Sequence, residues 1–441
     1  MYLSPTSQHS RQPLPIFLSL LCLSAVLFSG CGADSSQTSK LTDTEVPEAV
    51  DPVYIGLPFA YNFFGSDILP WITGARRGPI PAGTSKQALF LGDLIKRSGT
   101  EVSAAIYGLQ GQPWFLDAIV GGTPKASFVV DQEQGELNDW VPNNFTYEDT
   151  PKLVEIFGYE NVTPDLGTNG QPRSSTIMHN KFIVLNQTGL WTGSANFSDN
   201  CIGAEYNANT SIYLPFPEIA DLFAAEFSQM FEKHRFSVHK TALPNPNVFI
   251  FDDATKLEVF FSPQNDPVKN AVLPFIDSAD ETLEIGMFVL SDDRVKEHLI
   301  NAAARGVKIR IILDALYASS ARSYHEELRS NGIDVRVENW GGKMHMKTGI
   351  ADNWKVLVGS MNWTSAGSKQ NDENTIVVGN GPLARDAKQY FEVLWRTLNI
   401  AETDAPKAES SKSKNSCLDG IDNDHDGLTD ASEPACKNTV H

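Results

Sequence analysis

From residue 85 onward, apolar positions alternate between two spacings, and the sequence of spacings then repeats. Apolar residues recur at helical intervals over 87–96 and 114–120, and form short runs at 102–107 and 127–131. A polar insertion to about residue 170 holds one more helical stretch at 152–157. Next come an apolar run after His179, a strand pattern at 207–214 and a helix at 217–233. The second half replays this with a helix ending at 271–278, a strand at 282–290 and a helix at 292–305 that carries Val295, Leu299, Ile300 and Ala303 on one face. Strand 307–313, helix 321–330, strand 333–338, an apolar run after His345, its hairpin partner 355–358, strand 373–378 and helix 382–396 complete it. Alternating strands and helices predict an α/β fold, each sheet parallel-rich and covered by helices. The repeat unit is far longer than that of a solenoid. The chain therefore reads as one α/β domain duplicated, with halves at 85–240 and 241–400 related by a pseudo-two-fold.

The flanks follow other patterns. Residues 1–15 are polar with one charge, Arg11, and an apolar run from Ile16 to Phe28 follows, ending in Ser29-Gly30-Cys31. A run this short before small residues reads as a signal peptide, 1–31, and not as a membrane span. Residues 32–50 read as a flexible tether and 51–84 as an irregular lead-in. Residues 401–416 form a linker, and an acidic stretch closes at 417–436.

With 441 residues the chain exceeds one ordinary domain, and 41% hydrophobic with 20% charged residues is globular. The net charge of -19 argues mildly against a general polyanion binder, because long-range repulsion slows approach. The five cysteines, Cys22, Cys31, Cys201, Cys417 and Cys436, match no zinc spacing.

The chemistry lies in the two apolar runs. The first reads HNKFIVLNQTGLWTGSANFS, with His179, Lys181, Gly193, Ser194 and Asn196. The second reads HMKTGIADNWKVLVGSMNWT, with His345, Lys347, Asp352, Gly359, Ser360 and Asn362. In both, period-two alternation places imidazole and ammonium on one face of a strand, and a G-S-x-N turn follows. The copies are offset by 345 − 179 = 166 residues.

Two H-x-K motifs, each with a downstream G-S-x-N, resemble the phospholipase D superfamily over roughly residues 85–399. Phe261-Ser262-Pro263, Met287-Phe288 and Arg305-Gly306-Val307 are similar to family segments as well. The resemblance implies a duplicated phospholipase D-like fold, two mixed sheets flanked by helices, and an active site between the halves. It implies a metal-independent phosphodiesterase working through a phosphohistidine, with His179 as nucleophile and His345 as acid and then base. Lys181, Lys347, Asn196 and Asn362, helped by Ser194 and Ser360, would hold the phosphate oxygens, which is chemically apt because an anion must be neutralised before a nucleophile reaches it. Asp352 completes the second motif, whereas Asn186 stands at that place in the first. The family also orients each histidine through a carboxylate on a later strand. Glu373, in NDENT, stands in register with His345. The matching segment YNANT has Ala208 there, and Glu205 lies three residues out of phase. His179 is therefore expected to lack a carboxylate partner in register.

The ending L-F-S-G-C resembles a lipoprotein signal, which would make Cys31 the lipidated N-terminus of an exported outer-membrane or cell-surface protein; the alternative is an ordinary cleaved signal peptide and a periplasmic or secreted protein. Asp422, Asp424, Asp426, Asp430 and Glu433 fit a calcium loop. The tail is similar to thrombospondin type 3 repeats, which implies a Cys417–Cys436 disulfide and a Ca2+ site apart from catalysis. The expected partners are a phospholipid and a membrane surface, ahead of nucleic acid, with a pseudo-dimer inside one monomeric chain. Two alternatives stay open. One is an endonuclease of the same fold, for which Arg76, Arg77, Lys86 and Lys96 offer a thin basic cluster. The other is a non-catalytic surface binding protein that uses the calcium tail.

Overall fold

The computed structural model describes residues 52–398, apart from 70–82, 100, 124, 133–146, 166–175, 187, 204–206, 244–246, 321, 339 and 341. Cys31, Glu205 and the tail with Cys417, Asp422, Asp424, Asp426, Asp430, Glu433 and Cys436 lie outside the described residues.

Two short strands come first, β1 (Val53–Ile55) and β2 (Asn62–Gly65). The first half continues with β3 (Val102–Ile106), β4 (Ala126–Val130), β5 (Val162–Pro164), β6 (Lys181–Leu185), β7 (Gly189–Gly193) and β8 (Thr210–Leu214). The second half supplies β9 (Val248–Phe251), β10 (Lys256–Ser262), β11 (Thr282–Met287), β12 (Lys308–Leu313), β13 (Asp334–Val337), β14 (Lys347–Ala351), β15 (Lys355–Gly359) and β16 (Glu373–Gly379). One sheet runs β2-β8-β7-β6-β3-β4-β5, and the other β1-β9-β10-β16-β15-β14-β11-β12-β13. From β2 and β10 onward the two orders match strand for strand, which is the expected duplication.

The sheets are mixed, but they are not parallel-rich. Among the named strands parallel pairing is confined to β3–β4–β5, β11–β12–β13 and β1–β9, and the other strand pairs are antiparallel. The reason is connectivity. Each H-x-K strand returns by a hairpin, β6–β7 or β14–β15, and a hairpin joins antiparallel strands only. The lead-in is not wholly irregular either: β1 adds parallel to β9 and β2 antiparallel to β8. Three and four residues are too few for periodicity to reveal. The helix expected over 321–330 is shorter, at His325–Ser330.

The helices follow their start and stop signals. Ser85 caps α1 (Lys86–Ser98) by accepting the Ala88 N–H, and Gly99 ends it in the left-handed conformation that a helix terminus favours. α1 and α2 (Pro113–Gly122) cover the outer face of the first sheet, with Leu91, Ile95, Phe115 and Ile119 buried against Ile106, Phe128 and Trp191. α4 (Asp293–Ala304) covers the second sheet through Val295 and Leu299. α3 (Pro217–Phe231) and α5 (Gly381–Thr397) belong to a larger core that draws on both sheets, in which Phe182, Ile212 and Phe223 join Phe261, Ile350 and Ile376. The halves thus share their main core, and this fixes their faces against each other. Among the described residues no helix is long and apolar enough to cross a membrane.

Candidate active site

His179 and His345 sit one residue before β6 and β14, and Lys181 and Lys347 open those strands. Each H-x-K segment runs beside the start of the other half's last strand. The His179 N–H donates to the Asp372 carbonyl at 2.9 Å, and the Asp372 N–H to the Ile177 carbonyl at 3.0 Å. In mirror image, the His345 N–H donates to Ala208 at 2.9 Å and the Ala208 N–H to Lys343 at 2.8 Å. Side chains tighten the same seam. Thr210 Oγ1 meets Thr348 Oγ1 at 2.6 Å, and Asn374 Nδ2 donates to Asn180 Oδ1 at 3.0 Å.

This crossing decides how the histidines are oriented, and it reverses the sequence expectation. Glu373 does not serve His345. His179 Nδ1 lies 2.9 Å from both Glu373 carboxylate oxygens. His345 Nδ1 lies 2.9 Å from Asn209 Oδ1. His179 therefore has the carboxylate, and His345 has an amide. Asn209 is positioned without ambiguity: its Nδ2 donates to the Asn207 carbonyl at 3.1 Å, which turns Oδ1 toward the ring. A neutral imidazole bonded this way donates from Nδ1 and keeps its lone pair on Nε2.

The serines serve the orienting residues and not an open phosphate site. Ser194 Oγ donates to Asn209 Oδ1 at 3.0 Å and accepts the Thr210 N–H at 3.0 Å. Ser360 Oγ donates to Glu373 Oε2 at 2.7 Å and accepts the Asn374 N–H at 3.0 Å. Both hydroxyls are fully buried, so their bonding capacity is spent inside the protein. The glycines before them are required by close approach: a Cβ on Gly193 would meet the Thr210 carbonyl oxygen at 2.3 Å, and one on Gly359 that of Asn374 at 2.2 Å. Asn196 and Asn362 differ from the serines. Asn196 is buried and Asn362 partly buried, and each has a buried amide oxygen with no hydrogen-bond partner among the described residues.

Asp352 stands apart from the cleft. Its carboxylate accepts the N–H groups of Asp280, Glu281 and Thr282 at 2.7–2.9 Å, at the far end of β14. It caps the turn into β11 and touches no reacting group. Asn186 takes the same backbone place in the first half, its N–H donating to the Glu101 carbonyl as that of Asp352 does to Thr282, both at 3.0 Å.

Burial sets the electrostatics. It lowers His179 to about 4, against the pull of Glu373, and Lys181 to about 7. Burial, then Lys347 and Lys181, hold His345 well below the usual histidine range. Lys347 is also held well below an ordinary lysine, by burial and by Lys181. Each ammonium donates to the carbonyl of its own motif's histidine: Lys181 Nζ to His179 O at 2.7 Å, and Lys347 Nζ to His345 O at 2.8 Å. Two buried lysines, one of which depresses the other, form a site that an anion would stabilise. Aromatic rings line both sides. Tyr107 packs on His179 at 5.2 Å between centroids, and Phe288 on His345 at 5.0 Å.

Sequence reasoning missed Asn209, and the cause is a one-residue slip. Ser194 and Asn209 are 15 residues apart, whereas Ser360 and Glu373 are 13 apart. The shared Asn-Thr of YNANT and NDENT aligned Ala208 with Glu373, and one residue of slip moves a side chain to the other face. The pairing of β8 with β7 and β16 with β15 carries the right register. Sequence reasoning also missed the ion cluster behind Glu373. Asp372 lies 2.9 Å from Lys240 Nζ, which also pairs with Glu226, and none of the three side chains is exposed.

A family model described as the cardiolipin synthase, PLD-like domain matches residues 272–395. A mitochondrial cardiolipin hydrolase of Xenopus tropicalis is 31% identical over 142 residues, which is 32% of this chain and 68% of that protein. The chain belongs to the phospholipase D superfamily. A phospholipase D of Rickettsia conorii is 40% identical over 116 residues, 26% of this chain and 58% of that one. The phosphatidylserine synthase of Haemophilus influenzae shares the fold, with a TM-score of 0.53 and 14% identity over 78% of this chain and 89% of its own. The phospholipase D fold is therefore present in both halves, as the matched strand orders require.

Proposed function

We propose that the protein is a phospholipase D-type phosphodiesterase that hydrolyses phospholipid head-group phosphodiester bonds, with His179 as nucleophile. The observation that carries the assignment is the pair of 2.9 Å contacts from His179 Nδ1 to Glu373 across the seam. A carboxylate on Nδ1 aims Nε2 outward and stabilises the positive charge that grows on the ring as it attacks. Lys181 and Lys347 offset the phosphate charge, and the amides of Asn196 and Asn362 turn toward its oxygens. Nε2 of His179 bonds to phosphorus, the head-group P–O bond breaks, and His345, protonated once the bound phosphate offsets the lysine charges that depress it, gives its proton to the leaving alkoxide. Neutral His345 then takes a proton from water, the hydroxide attacks phosphorus, and the P–N bond breaks. Phosphatidic acid leaves and His179 is restored. No step draws on a metal, so Ca2+ at 417–436 would act apart from turnover.

The names of the cardiolipin hydrolase and phospholipase D relatives support a lipid substrate. The net charge of -19 also weighs against a polyanionic one. The test incubates purified protein with mixed phospholipid micelles and, separately, with DNA, each with and without a chelator. Phosphatidic acid is expected in both lipid arms. Cut DNA with intact lipid would overturn the reading.

A further inference from the structure

A third lysine stands at the site on one side only. Lys343 lies two residues before His345, at the place that Ile177 takes before His179. Its backbone is pinned from the other half: its N–H donates to Asn207 Oδ1 at 2.8 Å and its carbonyl accepts the Ala208 N–H at 2.8 Å. The side chain is half-buried. Its Nζ is 5.7 Å from the centre of the Phe288 ring, the same ring that packs on His345 at 5.0 Å and takes Lys347 Nζ at 4.9 Å. Lys343 thus shares an aromatic platform with the His345 pair. Among the described residues no carboxylate forms an ion pair with it. The acidic groups that sense its charge are Asp314 and Glu338. Both are buried, and burial pushes both toward the protonated form, Asp314 to about 6 and Glu338 further.

A half-buried ammonium that forms no ion pair among the described residues, on the ring that also packs on His345 and takes Lys347, suits a second anion. Its side of the cleft says which part of the substrate carries that anion. On the proposed function, on which this inference rests, the head-group alcohol leaves toward His345. We propose that Lys343 binds a second phosphate carried by the leaving alcohol, so that the preferred substrate is a phospholipid whose head group is itself phosphorylated. The first-half side offers Ile177 at the mirror position, which suits the lipid that stays bonded to His179.

The test compares two lipids that differ only in that phosphate, presented in neutral detergent micelles so that surface charge is constant. Phosphatidylglycerol has a bare glycerol as leaving alcohol. Cardiolipin and phosphatidylglycerophosphate carry a second phosphate on the same glycerol, as a diester and a monoester, which separates the two sources of the anion. The wild type should show at least about tenfold higher kcat/KM on one or both phosphorylated lipids, the scale of one charge-assisted hydrogen bond. Lys343→Met keeps the packing on Phe288 and should erase that preference, leaving phosphatidylglycerol within about twofold. Lys343→Arg should restore it. Equal losses on all three lipids would overturn the inference and leave the phosphodiesterase reading intact. A wild type that cleaves none of them would overturn both.

Discussion

His179 and His345 occupy matching points of two matching sheets, yet one Nδ1 faces a buried carboxylate and the other a buried amide. The surroundings agree almost atom for atom: a serine hydroxyl on the orienting group, a threonine or asparagine N–H on that hydroxyl, and a lysine on each histidine carbonyl. The difference is therefore one of charge and not of geometry. A carboxylate fixes the tautomer and also stabilises positive charge on the ring; an amide does only the first. The same inequality continues one residue earlier. Asp372 is held in a buried cluster with Lys240 and Glu226, whereas its counterpart Ala208 has no side chain to pair. Duplication supplied two equivalent frames, and the side chains placed on them suit two different tasks. On the proposed function, the carboxylate suits His179 to carry charge while bonded to phosphorus, and the amide leaves His345 free to give a proton up.

The largest expected effect comes from deleting either ring. With a nitrophenyl phosphodiester, whose leaving group needs no acid, His345→Ala should still form a covalent adduct, and the adduct should persist because no base activates water. His179→Ala should form none. Steady turnover should fall on the order of 10²–10⁴-fold in each. Peptide mapping of the trapped label reads the result. Label on any residue other than His179 would reverse the roles drawn from the comparison.

Next comes the carboxylate. Glu373→Gln keeps a group of the same shape at His179 but removes its charge, as Asn209 already does at His345. The rate of adduct formation should drop about 10–100-fold, while the adduct, once made, should hydrolyse at the wild-type rate. Pre-steady-state release of nitrophenolate separates the two steps. A variant that slows only adduct hydrolysis would place Glu373 in the service of His345 after all.

A smaller effect concerns pH. Burial sets Lys181 at about 7, so its ammonium is lost as pH rises through that value in the free protein. If the cation holds the phosphate, kcat/KM on a nitrophenyl phosphodiester, which needs no acid from His345, falls above about 7. Burial sets His179 at about 4, so its lone pair is lost as pH falls through that value, and kcat/KM falls there too. Arginine does not titrate in this range. Lys181→Arg should therefore move the alkaline limb upward and leave the acid limb in place. An alkaline limb that stays put in the variant would belong to another group.

The fold was legible because it is written twice. Helix and strand periodicity and the two G-S-x-N turns located most elements and both H-x-K strands. Short strands such as β1 and β2 were not legible, since they are held by pairing and not by a pattern of their own. The site was legible only in part. The sequence shows which residues repeat, but which half orients which histidine depends on strands crossing the seam. Glu373 was picked out, and its partner was assigned to the wrong half. Asp352 was grouped with the site because it completes the second motif, although β14 carries it five residues beyond Lys347, to the strand's other end.

The finest test of the comparison is to make the halves equal. Asn209→Asp places a carboxylate beside His345, where the ring N–H and the Ser194 hydroxyl already point at an oxygen. One bond is lost, from Asn209 Nδ2 to the Asn207 carbonyl, and that carbonyl then faces an oxygen, so a modest drop in melting temperature is expected. Lys347 and Lys181, which now depress His345, lie close enough to offset the new negative charge. The carboxylate should raise the proton affinity of His345, making it a better base and a weaker acid. With a nitrophenyl substrate the first step needs no acid, so adduct formation should stay within about twofold of wild type, while adduct hydrolysis should quicken by up to about tenfold. With a phospholipid, whose alkoxide leaving group does need the acid, the gain in the second step should be opposed by a loss in the first. An adduct lifetime unchanged in a folded Asn209→Asp protein would mean that the amide fixes the ring's orientation and nothing more, and that the charge difference between the halves has no chemical consequence.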